Sequence, residues 1–154
     1  MKVFNKLMMG AAALTLLSGC ALFQSKVSYD KFHEKAVEAH EKGHSYKKAT
    51  ANGSVETMGM TIKIDNVKLT YSNGAWISEE NSVGASVAVG LANTEAYMVT
   101  EDDDSTYYVG GGFKVTMSNE DGKGTAKFNA AGLMTSYDVK ADNSTMKLTV
   151  KYSK

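Results

Sequence analysis

Two periods of apolar spacing organise the chain after an opening apolar run at residues 7–17. In residues 29–42, a turn of 100° per residue places Tyr29, Phe32, His33, Ala36, Val37 and His40 on one side. Lys31, Glu34, Lys35, Glu38, Glu41 and Lys42 fall on the other. That spacing predicts an amphipathic helix. Ser28 occupies the N-cap position, Asp30 lies in the first turn, where the helix dipole favours an anion, and Gly43 follows the last turn. Val27 and Phe32 have the spacing of a hydrophobic staple. A free helix of about fourteen residues is marginal in water, so its apolar stripe predicts a sheet beneath it.

The period then changes to two. Ala49, Ala51, Gly53 and Val55 alternate with Thr50, Asn52, Ser54 and Glu56, which predicts a half-buried strand over residues 46–56. Ile62 and Ile64 alternate in one phase and Val67, Leu69 and Tyr71 in the other, so a bulge or turn is expected at Asp65-Asn66. Asn73-Gly74 is a tight-hairpin pair that returns the chain into a strand carrying Trp76. Residues 81–97 read two ways. Val83, Val87 and Leu91 have helical spacing behind a Ser82 cap, whereas Val87, Val89 and Leu91 alternate as in a strand; the helix is the preferred reading. Beyond the acidic turn at residues 101–104, Phe113, Val115 and Met117 begin a series of strands. Ala126 and Phe128, then Leu133 to Val139 in alternation, then Met146, Leu148, Val150 and Tyr152 continue it. Their links are short and rich in turn formers, which predicts an antiparallel meander. The expected fold class is therefore α+β: a curved antiparallel meander packed against the helix at residues 29–42, with a second short helix.

Composition narrows the functions. The chain has 154 residues and one cysteine, and all its strong cations are lysine. Without arginine it lacks the side chain best suited to forked phosphate recognition, which argues against nucleic acid as a partner. From residue 20 onward there are fifteen lysines against seventeen acids, a charge near minus two, so no basic patch is expected.

Candidate chemistry is sparse. His33 and His40 would lie about 10.5 Å apart along a helix, too far for one ion, and Gly43 interrupts the path to His44. Residues 101–104, Glu-Asp-Asp-Asp, lack the glycine and distal glutamate of a calcium loop and read as a solvated turn. Gly110-Gly111-Gly112 precedes a strand rather than a helix, so it reads as a bend and not a nucleotide loop. No nucleophile elbow is present. The expectation is a protein without catalytic residues, cofactor or bound metal. Phe32, Val37, Tyr71, Trp76, Phe113, Phe128 and Tyr137 are the candidates for lining a hydrophobic-ligand site, and the methionines would make such a site pliable.

The opening run is too short to span a bilayer. Lys2 and Lys6 precede it, about eleven residues form it, and small residues follow it, as in a secretory signal peptide. It ends in Leu17-Ser18-Gly19-Cys20, which resembles the lipobox of bacterial lipoprotein precursors. The resemblance implies a signal peptide at residues 1–19, cleavage before Cys20, and acyl chains on Cys20. Residues 20–27 would then be the lipidated cysteine and tether, and residues 28–154 a single domain. The implied location is extracytoplasmic, at the outer membrane if the organism has two membranes and on the outer face of the cytoplasmic membrane if it has one. With Cys20 acylated, no thiol remains for a disulfide or for cysteine chemistry.

The order of helix and meander, with Lys127-Phe128-Asn129-Ala130-Ala131-Gly132-Leu133-Met134-Thr135-Ser136-Tyr137 near its close, is similar to the half-barrel lipoproteins of the LolA-like, LolB-like and LppX-like groups. That resemblance implies a sheet whose concave apolar face receives lipid. The alternative is an envelope module that binds another protein and has no ligand cavity.

Overall fold

The structure, a computed structural model, describes residues 24–154. The apolar run, the lipobox and Cys20 lie outside the described residues. The elements, in chain order, are β1 (Ser25–Val27), α1 (Tyr29–Lys42), β2 (Lys48–Thr57), β3 (Met60–Ser72), β4 (Ala75–Ile77), α2 (Val83–Ala92), a 3-10 turn (Ala96–Met98) and five further strands. These are β5 (Ser105–Val109), β6 (Phe113–Asn119), β7 (Gly122–Phe128), β8 (Met134–Ala141) and β9 (Ser144–Ser153). All nine strands form one open antiparallel sheet in the order β1-β5-β6-β7-β8-β9-β2-β3-β4. Two meanders, β2 to β4 and β5 to β9, join where β2 pairs with β9 along its whole length.

Local chemistry explains the elements. The Ser28 hydroxyl accepts from the Lys31 amide at 3.2 Å, which caps α1, and the Gly43 amide closes its last turn on His40 at 3.0 Å. The phase change at Asp65-Asn66 is a bulge: between the pairs Ala51–Val67 and Gly53–Ile64, the single residue Asn52 of β2 faces Asp65 and Asn66 of β3. Asn66 takes a positive φ there, and its amide donates to the Asn52 side chain at 2.8 Å. Asn73 and Gly74 both have positive φ, the backbone that a tight hairpin of matching twist requires.

Two segments differ from the sequence expectation. Residues Ser25–Val27, expected within the tether, pair with Tyr107 to Val109 of β5 and form an edge of the sheet. β5 itself was hidden because its apolar side chains do not alternate cleanly: Tyr107 and Tyr108 are adjacent and only Tyr107 is buried. The second helix is present, but Val83, Val87 and Leu91, whose spacing predicted it, are not its most buried residues; Val87 and Leu91 are half-buried against the core. Gly84, Ala85, Ala88 and Ala92 are buried instead, and Val83 is 62% exposed. The helix lies so close to β3 that a Cβ on Gly84 would come within 2.6 Å of the Lys63 carbonyl oxygen. Only small residues fit at that distance, and the branched ones are displaced to the flanks.

Both helices pack on one face of the sheet, over adjoining halves. Under α2, the core gathers Ile64, Val67, Leu69, Trp76, Leu148 and Val150. Under α1, it gathers Phe32, Tyr107, Phe113, Phe128 and Met134. Leu91 and Tyr137 touch both groups. Burial of this apolar surface is the main stabilising contribution.

The β4 edge has an unusual closure. Asn93, just past α2, accepts from the Trp76 amide at 2.8 Å and donates to the Trp76 carbonyl at 2.9 Å, as a neighbouring strand would. Its amide also donates to the Val89 carbonyl at 3.0 Å, so one side chain ends a helix and occupies a sheet edge. Replacing Asn93 with Ala leaves both Trp76 backbone groups unpaired beside a buried ring. The expected cost is about 1–3 kcal/mol, read as a lower urea midpoint with an unchanged slope.

Candidate functional site

The residues expected to line a hydrophobic site are divided between the two halves of the core. Phe32 lies with its ring 5.6 Å from Phe113 and 5.3 Å from Tyr107, and Phe128 is buried in the same group. Trp76 and Tyr71 are 5.2 Å apart in the other group. Tyr137 is half-buried between the two, and Val37 is half-buried on α1 in neither group. Where these side chains meet, they meet one another. A hollow of about 220 Å³ beside α1 reaches only Phe113 among them, and Lys35, Glu38 and Lys42 form its polar wall.

The three histidines diverge into separate environments. His33 stacks on Tyr29 at 5.6 Å. His40 lies 3.2 Å from a Glu95 carboxylate oxygen and 4.1 Å from the Tyr97 ring centre. His44 enters an aromatic group, 4.6 Å from Tyr71 and nearly parallel to Trp76 at 5.9 Å. Tyr152 completes that group, and its hydroxyl donates to the Met134 carbonyl at 2.6 Å. Burial pushes the Tyr152 phenol well above the usual range. Among the described residues, no three metal-ligating side chains converge. The acidic residues 101–104 fold as a turn: Asp102 accepts from the Asp104 amide at 2.7 Å, and the Asp102 amide donates to the Tyr107 hydroxyl at 2.9 Å. The three glycines at 110–112 link β5 to β6, all with positive φ.

The face of the sheet that carries no helix among the described residues is a different surface. Its cross-strand rows follow from the registers. Lys114, Lys127, Ser136, Thr149 and Asn52 form one row across β6, β7, β8, β9 and β2. Beside it run Thr116, Thr125, Asp138, Lys147, Ser54 and Lys63. A third row contains Ser118, Lys123, Lys140, Thr145 and Glu56. Lys48, Lys68 and Lys151 extend this face, and Lys26 joins it at the β1 edge opposite Tyr108.

Every lysine that lies in a strand is therefore on this side, and the strand acids there are Glu56, Asp65 and Asp138. The ion pairs among the described residues, Lys31 with Glu34, Lys35 with Glu38, and His40 with Glu95, all lie on the helical side. A nearly neutral chain has sorted its charge by face, which corrects the expectation that no basic patch exists. The signal was present in the sequence, in the polar half of each alternation: the phase opposite the apolar one holds the lysines.

Two open grooves, of about 510 and about 540 Å³, cross this face and share Thr125, Asp138 and Lys147. Their polar walls are lysine ammonium groups, hydroxyls, one amide and the Asp138 carboxylate. Lys114 holds its ammonium 4.3 Å from the centre of the Tyr108 ring, a cation over an aromatic face. An array of cationic donors and hydroxyls in this excess over carboxylates attracts anions and offers them hydrogen bonds.

His44 gives this domain a pH response. Desolvation by burial holds its pKa below the ordinary value, with Lys47 adding to the effect and Glu95 and a hydrogen bond involving the Tyr46 backbone opposing it. Its Nδ1 is buried without a partner. The unfolded chain binds a proton more readily, so stability is full above roughly pH 6.5 and falls as pH drops from there toward the depressed folded value. The urea midpoint should decrease between about pH 7.5 and about pH 5, and His44→Phe should remove part of that decrease; an unchanged pH slope in the variant would contradict the assignment. Comparison with protein-family models, with curated proteins and with solved structures gave no match.

Proposed function

We propose that the chain is the precursor of a noncatalytic bacterial envelope lipoprotein, held at a membrane through acylated Cys20, whose domain is an interaction module. The module presents the lysine face as its binding surface. The observation that carries this reading is the sorting of charge onto one open face of a sheet whose first strand begins at Ser25, five residues after Cys20. Five residues span at most about 18 Å, so the anchor would hold that face close to a bilayer. Two or three acyl chains make such attachment effectively permanent, whereas one would not. The place of action is extracytoplasmic, at the outer membrane in a two-membrane cell and on the outer face of the cytoplasmic membrane otherwise.

A second reading is a binder of lipid or another hydrophobic ligand between sheet and helices, in the manner of the half-barrel lipoproteins. An antiparallel sheet with helices on one face supports it. It carries less weight because Phe32, Trp76, Phe113 and Phe128 are each at most 5% exposed and pack in side-chain groups. The larger grooves also lie on the opposite, polar face.

The anchor is tested by expressing the full chain in a bacterium supplied with labelled palmitate. The wild-type chain should take up label and fractionate with membranes, and Cys20→Ser should lose both. Label on the Cys20→Ser variant, or none on the wild type, would contradict the anchor.

A further inference from the structure

We infer that the lysine face docks on the headgroups of an anionic phospholipid bilayer, so that the domain lies flat on the membrane with its helices outward. This rests on the proposed function and names the partner of the same surface. The first support is charge complementarity: the strand lysines outnumber Glu56, Asp65 and Asp138 on this face several-fold, and none of them is in an ion pair among the described residues. The charge is spread across seven strands, β1 to β3 and β6 to β9, rather than gathered around a single pocket. Strands spaced about 4.8 Å apart make it a surface tens of ångströms wide, which suits a planar array of phosphates better than one small anion.

The chemistry of the face also sets the depth of contact. Threonine, serine or asparagine accompanies the lysines in all three rows, with Lys114 beside Lys127 and Lys123 beside Lys140, and Tyr108 and Ile77 are the large apolar side chains in the outward phase of the strands. Standing on β5 and β4, toward opposite edges of the sheet, the two do not combine into a wedge for insertion into acyl chains. Contact at the headgroup level is electrostatic and salt-sensitive. The geometry of attachment agrees, because β1 is an edge strand and its Lys26 shares the lysine face. A chain leaving the sheet at that edge can reach the bilayer without lifting the face away.

The test uses the chain from residue 20 onward with Cys20→Ser, which retains all the described helices and strands and carries no lipid. It is sedimented with vesicles of phosphatidylcholine alone or with about one-third phosphatidylglycerol. The protein should pellet only with the anionic vesicles, and roughly 0.5 M salt should release it. Lys123, Lys127 and Lys147 changed together to Gln should weaken partitioning about a hundredfold, with thermal unfolding as the check on folding. Lys31, Lys35 and Lys42 changed to Gln on α1 should have little effect.

Three outcomes would overturn the inference: no pelleting with anionic vesicles at low salt, equal pelleting with both vesicle types, or insensitivity to the three face substitutions. Binding to soluble polyglutamate without binding to vesicles would replace the bilayer with a soluble polyanion. Because the assay uses unlipidated protein, its failure leaves the Cys20 anchor standing. Conversely, absent palmitate labelling would leave the face standing.

Discussion

Strand alternation, held in register across nine antiparallel strands, is the constraint on which the molecule depends. A shift of one residue in any central pairing would turn that strand's Ala, Val, Ile or Leu positions toward water and its lysines toward the helices. Burying an unpaired ammonium costs far more than burying a methyl group gains, so register is specified from both sides. The same alternation therefore makes the core and the cationic face. Neither can be altered by slippage without loss of the other.

The covering of the apolar face adds a second constraint, which is distance. α2 approaches β3 closely enough that Gly84 and the alanines at 85, 88 and 92 are the residues in contact. Asn93 ties the end of this helix to Trp76 through both backbone groups. α1 works differently, with Phe32 as a single large anchor between Tyr107 and Phe113. With a small-residue helix over one half and an aromatic anchor over the other, the opposite face of the sheet is without a cover among the described residues. That face tolerates water because lysine, threonine and serine line it.

Much of the scaffold was legible in the sequence because its signals are local. Ser28, Gly43, the phase change at Asp65-Asn66 and the Asn73-Gly74 hairpin each act within a few residues, and the structure shows each as a cap, bulge or turn. The misses are non-local. β1 is a strand only because β5 lies beside it, and three residues show no period of their own. The buried face of α2 was not legible because the branched residues carry its helical spacing, whereas the close approach of helix and sheet selects small residues for the contact. The candidate site was missed for another reason: total charge is a sum, and a sum near zero conceals lysines in strands and acids in helices and turns. The lysine at each polar position was readable, but only the registers show that those positions lie side by side.

The central claim is that the helix-free face meets anionic headgroups, and the most direct measurement is residue-resolved. Amide resonances of the unlipidated chain, recorded with and without bicelles containing phosphatidylglycerol, would show which face makes contact. The account predicts shifts and broadening along β6 to β9 and β2, greatest near Lys127, Thr125 and Lys147, with α1 and α2 nearly unchanged. Perturbation centred on α1 or α2, with the lysine rows silent, would contradict it.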